Sequence, residues 1–298
     1  MSARPPAGGG PGRLRSWLFM PADRQRFLAK LPQTSADAVV LDLEDGAGSA
    51  ADGARANVAR WVSAEAPQVP PALFVRTREV DHPGFAEDVR AAVGPRLAGL
   101  VLPKAAAAAQ VEAAAQASAA AAGARGLRAP SLVLIVESAR GLEALQSMLA
   151  VTDRVRAVAF GAEDFSADLG LPPRGKRETS ENTILDHARA RVAVACAAAE
   201  VAIRIDTPHL RIDDEEGLVG EVVHALSFGF GAKFLIHPGQ VEPLHRALLP
   251  SPEELSWAER LLAAAPTGGG ALRVDGRMVD EAVLRQARAV LTRADGGR

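Results

Sequence analysis

SLVLIVES (131–138) and VRAVAFGAED (155–164) are apolar runs of strand length, and each closes on acidic residues. A strand buried on both faces of a parallel sheet reads as such a continuous run, and a charge at its carboxyl end lies where barrel enzymes keep their chemistry. The two runs therefore offer Glu137 and Asp164 as oxygen ligands at one end of a sheet. Carboxylates from two neighbouring units suit a hard divalent ion such as Mg²⁺.

Six further runs flank this pair: RSWLFMP (15–21), DAVVLDLED (37–45), ALFVRTRE (72–79), LAGLVLPK (97–104), VAIRIDT (201–207) and AKFLIHP (232–238). Helix-compatible stretches separate most of them, such as AAAAAQVEAAAQASAAAAG after the fourth. Strand then helix, eight times, predicts a TIM (β/α)8 barrel of the α/β class. The rival is an open doubly wound sheet, but no G-x-G-x-x-G follows the first run. The runs end on Asp42, Glu44, Asp45, Arg76, Lys104, Glu137, Glu163, Asp164, Asp206 and His237. Any one alone reads equally as a helix cap or a surface charge. Together they resemble the polar top of a barrel.

A net charge of -2 with interspersed signs gives no basic face for nucleic acid. The lone Cys196 excludes an intramolecular disulfide and any multi-cysteine zinc site, and in RVAVACAAAE it reads as small core filler. No apolar segment reaches membrane-spanning length, so no membrane partner is expected. Residues 1–14, rich in Gly and Pro and without an apolar signal core, read as a disordered tail. A soluble cytoplasmic protein is the expectation. The barrel is expected over 15–250, and 251–298 as a C-terminal helical lid. That segment opens with a Ser-x-x-Glu capping signal in PSPEELSW. It continues through a turn at Asp275-Gly276 into a last helix whose first turn includes Asp280.

Arg76 ends an apolar strand, where a guanidinium is costly to bury without a carboxylate or bound anion. A structural ion pair with Asp42 or Asp45 and a substrate contact are both open and compatible, one acid orienting the cation while its other edge takes a carboxylate. LDLED places Asp42 and Glu44 on one strand face and Asp45 at its exit, as orienting groups or water-mediated metal ligands, with solvated loop acids the plainer reading for Glu44 and Asp45. Lys104 is weighed as a Schiff-base lysine, with an exposed strand-end lysine as the commoner case. His237 contacts a ligand or hydrogen-bonds across the barrel top. No zinc-hydrolase motif, P-loop or G-x-S-x-G is present.

RSWLFMPAD, DAVVLDLEDG, FVRTRE, LVLPK, LIVESARG, FGAEDFSADLG, IDTP, FGFGAKFLIHPGQV and GRMVDEAVLRQARAVL follow one another in an order that resembles the citrate lyase β-subunit/malyl-CoA lyase family of the HpcH/HpaI aldolase group. The resemblance spans residues 15 to about 294. It implies a Mg²⁺-dependent barrel lyase that cleaves or forms a carbon-carbon bond in a 3-hydroxyacyl thioester such as malyl-, citramalyl- or citryl-CoA, giving a 2-oxo acid and an acyl-CoA. The resemblance makes Glu137 and Asp164 the metal ligands and Arg76 the oxo-acid-binding arginine. Asp280 becomes the acid/base group lent to a neighbouring subunit of a trimer or hexamer. Arg15 is the candidate for the carrier's phosphates and pantetheine, and Asp42 and Asp45, from their place at the strand end, are further substrate-side candidates beside Arg76 and Glu137. Three departures concern the carrier and acyl group: Arg78 where relatives have asparagine, Gly46-Ala47 after DLED, and a missing lysine with only Arg55 retained. Arg78 is a candidate for recognising an extra carboxylate. The alternatives are a class II aldolase on free 4-hydroxy-2-oxo acids, or a non-catalytic thioester-binding subunit.

Overall fold

A computed structural model describes residues 14–45, 51–65, 71–172, 183–265, 272–274 and 277–295. Within it the eight runs become eight parallel strands closed into a barrel, each strand hydrogen-bonded to the next and the eighth to the first. They are β1 (Ser16–Pro21), β2 (Ala38–Asp42), β3 (Ala72–Arg76), β4 (Leu97–Leu102), β5 (Ser131–Val136), β6 (Val155–Phe160), β7 (Ile203–Asp206) and β8 (Ala232–Leu235). Around them run α1 (Gln25–Leu28), α2 (Ala51–Val62), α3 (Phe85–Ala92), α4 (Ala108–Gly123), α5 (Ala139–Leu149), α6 (Ala162–Asp168), α7 (Thr183–Ala198), α8 (Glu215–Ser227) and α9 (Val241–Leu248).

The lumen is filled, not hollow. Trp17, Ala38, Val40, Phe74, Val101, Val133, Ile135, Ala157, Ala159, Ile205, Ala232 and Phe234 form one buried cluster. Large and small side chains interdigitate there, with the Trp17 and Phe74 rings 4.4 Å apart and Phe19 and Phe234 4.7 Å apart. Leu14, assigned to the tail from sequence, packs against this cluster, and its carbonyl accepts from the Trp17 indole at 3.0 Å. The rest of that tail, residues 1–13, lies outside the described residues.

The chain divides into two compact units, the first ending at Leu244 and the second beginning at His245. The second contains α10 (Pro252–Ala264), an antiparallel pair β9 (Leu272–Val274) and β10 (Arg277–Val279), and α11 (Glu281–Asp295). Its helices pack through Ala258, Leu261, Leu284 and Ala287, with Val279 joining them. The Ser251/Glu254 capping box forms as the spacing predicts. Asp275 and Gly276 lie outside the described residues. Among the described residues no helix is long and apolar enough to cross a membrane.

Candidate functional site

Side chains alternate between the two faces of a strand, so the lumen cluster identifies which strand-end residues look inward. Ala38 and Val40 point into the lumen, and Asp42 continues their face; Phe74 is followed by Arg76, Ile135 by Glu137, and Ala159 by Gly161. The carboxyl end of the lumen thus carries an acid, a guanidinium, a second acid and a glycine.

Arg76 is held on every side by acids. Asp42 takes its Nε and Nη2 at 2.8 Å each, Glu44 its Nη1 at 2.8 Å, and Asp45 its Nη2 at 2.8 Å. The guanidinium carbon lies 4.7 Å from the Phe19 ring centroid. Burial works against its charge, but the Asp42 hydrogen bonds and the three negative charges outweigh it, and the pKa is raised. Both readings of Arg76 therefore start from an ion pair already made. Asp42 is buried and two-pronged, whereas the Asp45 side chain is 79% exposed and is the partner that an incoming carboxylate can replace most readily.

Glu137 lies just past β5 and is buried. Its Oε1 accepts the Lys104 backbone N–H at 2.6 Å. Burial pushes its carboxyl up to about 8; the Lys104 N–H and Arg76 oppose the rise, while the charges of Asp164 and Glu44 add to it. Gly161 makes room for it: a Cβ there would lie 2.7 Å from both Cβ and Oε2 of Glu137. Asp164 does not end a strand. β6 stops at Phe160, Gly161 turns the chain, and Asp164 projects from the first turn of α6, exposed, where an acid also complements the helix dipole.

Such a pair fits a hard divalent cation. Glu137 is buried, carries oxygen donors, and is held short of ionisation by burial and by neighbouring negative charge that a cation would neutralise. Among the described residues no group of three His, Cys, Asp or Glu is arranged to hold an ion by itself. The site suits a metal that takes one or two carboxylates and completes its shell with water and substrate, as magnesium does.

Lys104 is no Schiff-base candidate in this setting. Its ammonium donates to Glu79 at 2.7 Å and lies 3.4 Å from Glu44. The Glu79 hydrogen bond and the Glu44 charge raise its pKa above the lysine range, so the amine stays protonated. Arg78 is likewise committed to the fold through two of its nitrogens: it grips Asp88 at 2.9 and 2.7 Å and the Gly84 carbonyl at 3.0 Å through Nε and Nη2, and Arg55 holds the same Asp88 at 2.9 Å.

Four other sequence expectations are relocated. Arg15 precedes β1, at the amino end of the barrel, where its Nε lies 3.7 Å from Asp37 and its carbonyl accepts from Lys233 N. That is the end opposite Glu137, so Arg15 does not join the group. Asp206 turns outward, since Ile205 occupies the lumen; there it meets Lys233 at 3.0 Å and Arg189 at 2.9 Å. Burial alone would raise its pKa, but these two cations lower it. His237 is exposed and accepts the Gly239 N–H through Nδ1, capping a turn. Asp280 belongs to the second unit and is the N-cap of α11, not part of its first turn; its Oδ1 accepts the Val283 N–H at 3.1 Å.

Residues 15–238 match the HpcH/HpaI aldolase/citrate lyase family across most of the chain. The chain belongs to that family. Among the members of the HpcH/HpaI aldolase/citrate lyase family that it resembles is a citrate lyase subunit beta-like protein of Mycobacterium tuberculosis, 35% identical over 96% of each chain. An L-malyl-CoA/beta-methylmalyl-CoA lyase of Rhodobacter capsulatus is 31% identical over 98% of this chain and 97% of its own. A crystal structure of CitE from Mycobacterium tuberculosis in complex with magnesium, acetoacetate and coenzyme A superposes with a TM-score of 0.80 at 33% identity, covering 96% of this chain and 99% of that one. Within this family member, reading strand ends misses the parts of the site made by backbone: the Lys104 N–H, and the space left by Gly161. The glycine before the AED acids is the one available signal, because a glycine at a strand exit often marks close approach.

Proposed function

We propose that this carbon-carbon lyase acts on a 3-hydroxyacyl-CoA thioester of the malyl, citramalyl or citryl type, interconverting it with a 2-oxo acid and an acyl-CoA. The observation that carries the reading is a buried Glu137, fixed by the Lys104 N–H at the same lumen end as the cation Arg76, with the charge of Asp164 near enough to raise its pKa. The name of one relative, an L-malyl-CoA/beta-methylmalyl-CoA lyase, and the coenzyme A in the CitE crystal structure support the thioester.

Glu137 and Asp164 would hold Mg²⁺, which supplies a Lewis acid for the oxygens of the oxo-acid fragment. Arg76, aimed by Asp42, takes the carboxylate of that fragment in place of Asp45 and offsets the negative charge that develops as the carbon-carbon bond breaks. Glu44 bridges the Arg76 and Lys104 cations. Asp280 is assigned the proton exchange at the enolate carbon, in the site of a neighbouring subunit of a homo-oligomer.

The test is a screen of acetyl-CoA and propionyl-CoA with glyoxylate, pyruvate and oxaloacetate, with and without Mg²⁺, read by mass spectrometry. Magnesium-dependent condensation is expected, lost in Glu137→Ala and Asp164→Ala. Full activity in either variant would overturn the metal assignment. Turnover of free 4-hydroxy-2-oxo acids, without thioesters, would overturn the substrate.

A further inference from the structure

Lys104 is one of only two non-glycine residues with positive φ among the described residues, at φ 49°. The left-handed region crowds the Cβ of any L-residue, so the turn must be held there by its contacts. Those contacts run to β5, to α5 and to acids at the carboxyl end of the barrel. The Ala105 N–H donates to the Ile135 carbonyl at 3.2 Å, and the Lys104 N–H donates to Glu137 Oε1 at 2.6 Å. Gly141 of α5 lies so close to the Ala105 carbonyl that a Cβ there would sit 2.5 Å from it. The Lys104 ammonium is fastened to Glu79 and Glu44, and Glu44 also binds Arg76. Glu79 follows Arg78, whose side chain and backbone N–H are fixed on the buried Asp88.

We infer that Lys104 is a positioning residue: its side chain, tied to Glu79 and Glu44, holds the turn left-handed so that its own N–H fixes Glu137 Oε1 and leaves the other carboxylate oxygen for a bound ion. The inference rests on the magnesium reading of Glu137 given above. The ammonium is taken up by Glu79 and Glu44. Lys104 works through the backbone, which separates it from the Schiff-base role a lysine at a barrel top would suggest. The two oxygens of Glu137 thereby take different tasks. Oε1 is spent on the turn, and Oε2 faces the space that Gly161 leaves open. A partner that orients a metal ligand in this way commonly changes metal affinity by about ten- to a hundredfold when removed.

The experiment titrates magnesium-free full-length protein with Mg²⁺ by calorimetry, and follows thermal unfolding of each variant. Lys104→Ala keeps the N–H and the left-handed crowding but loses the tether, and should bind Mg²⁺ about tenfold more weakly. Lys104→Gly takes the same φ without crowding and should lose less. Lys104→Arg, which can still reach Glu79, should stay near the parent. Should Lys104→Ala fail to fold, Glu79→Gln loosens the tether from outside the turn and should weaken Mg²⁺ in the same direction. A folded Lys104→Ala or Glu79→Gln that binds Mg²⁺ as tightly as the parent, with only a lower melting temperature, overturns the inference and leaves the metal site standing. A parent protein that binds no Mg²⁺ overturns both.

Discussion

Asp42 and Arg76 are register partners on the adjacent strands β2 and β3, and their side chains close a two-pronged ion pair with both contacts at 2.8 Å. Both lie at the end of a lumen face, so the pair is formed by neighbouring backbone positions and needs no loop to assemble it.

The pair sets a contrast with Asp45, which binds the same guanidinium from solvent. Asp42→Ala leaves a buried arginine without its principal partner and is expected to cost about 3 kcal/mol of stability. Asp45→Ala should cost less than about 0.5 kcal/mol, as an exposed pair does. Urea unfolding of both variants checks this, and equal losses would refute the division of roles. Asp42→Ala should also lower kcat/KM for oxo acid by releasing Arg76 from its orientation, whereas Asp45→Ala should change it little.

Glu137 gives a pH dependence with a definite sign. Its carboxyl is raised from an ordinary 4.5 to about 8 in the metal-free protein. Between those values the folded state holds a proton that the unfolded state has lost, so this group makes stability fall as pH rises through that window. Metal needs the carboxylate, so Mg²⁺ and the proton compete. Apparent Mg²⁺ affinity should climb by up to about tenfold per pH unit below 8 and level off above it. Calorimetric titrations at about pH 6, 7, 8 and 9 measure the profile, and a flat one would contradict a buried, uncompensated Glu137.

Gly161 is where a single methyl group should reach the site. A Cβ there would lie 2.7 Å from Glu137 Cβ and 3.2 Å from Ile135 Cγ2, so the Glu137 side chain must shift to admit it. Gly161→Ala is expected to cost about 1–3 kcal/mol and to weaken Mg²⁺ binding by displacing the carboxylate. Gly220 in α8 has open space around it, with nothing within 4 Å of where a Cβ would sit, so Gly220→Ala should instead stabilise by about 0.5–1 kcal/mol. Chemical denaturation of the two proteins distinguishes them, and destabilisation of both to the same extent would remove the packing argument.

The barrel is legible because strands buried on both faces leave continuous apolar runs, and eight of them with helical spacers admit few other folds. The same continuity hides which face each residue occupies. Asp206 looks in sequence like another inward acid because it ends its run, yet the alternation of IRID, with Ile203 and Ile205 toward the lumen, puts it on the outer face with Lys233 and Arg189. Asp164 reads as a strand end because a one-residue turn at Gly161 leaves no polar gap before α6. Arg15 opens its run where the other polar candidates close theirs, and that order alone assigns it to the amino end. The left-handed turn at Lys104 has no signature, since residue types that favour it, glycine and asparagine, are absent from LVLPKA.

Arg78 is offered by the sequence as a reader of an extra carboxylate, but its geometry favours architecture over selectivity. The guanidinium makes two contacts with Asp88, whose side chain is 1% exposed, and a third with the Gly84 carbonyl. Arg55 reaches the same carboxylate, so the β3 end, α2 and α3 are joined through one buried charge. Removing Arg78 leaves Asp88 with a single cation, and truncating one member of a buried charge network costs about 3 kcal/mol. Arg78→Ala is therefore expected to lower stability by roughly that amount. It should leave unchanged the ratio of kcat/KM for oxaloacetate over pyruvate, because the Nε and Nη2 of the guanidinium are committed to Asp88 and Gly84. Denaturation and parallel kinetics with the two oxo acids measure both effects. A loss of about tenfold confined to oxaloacetate, with stability intact, would restore Arg78 as the residue that reads the extra carboxylate.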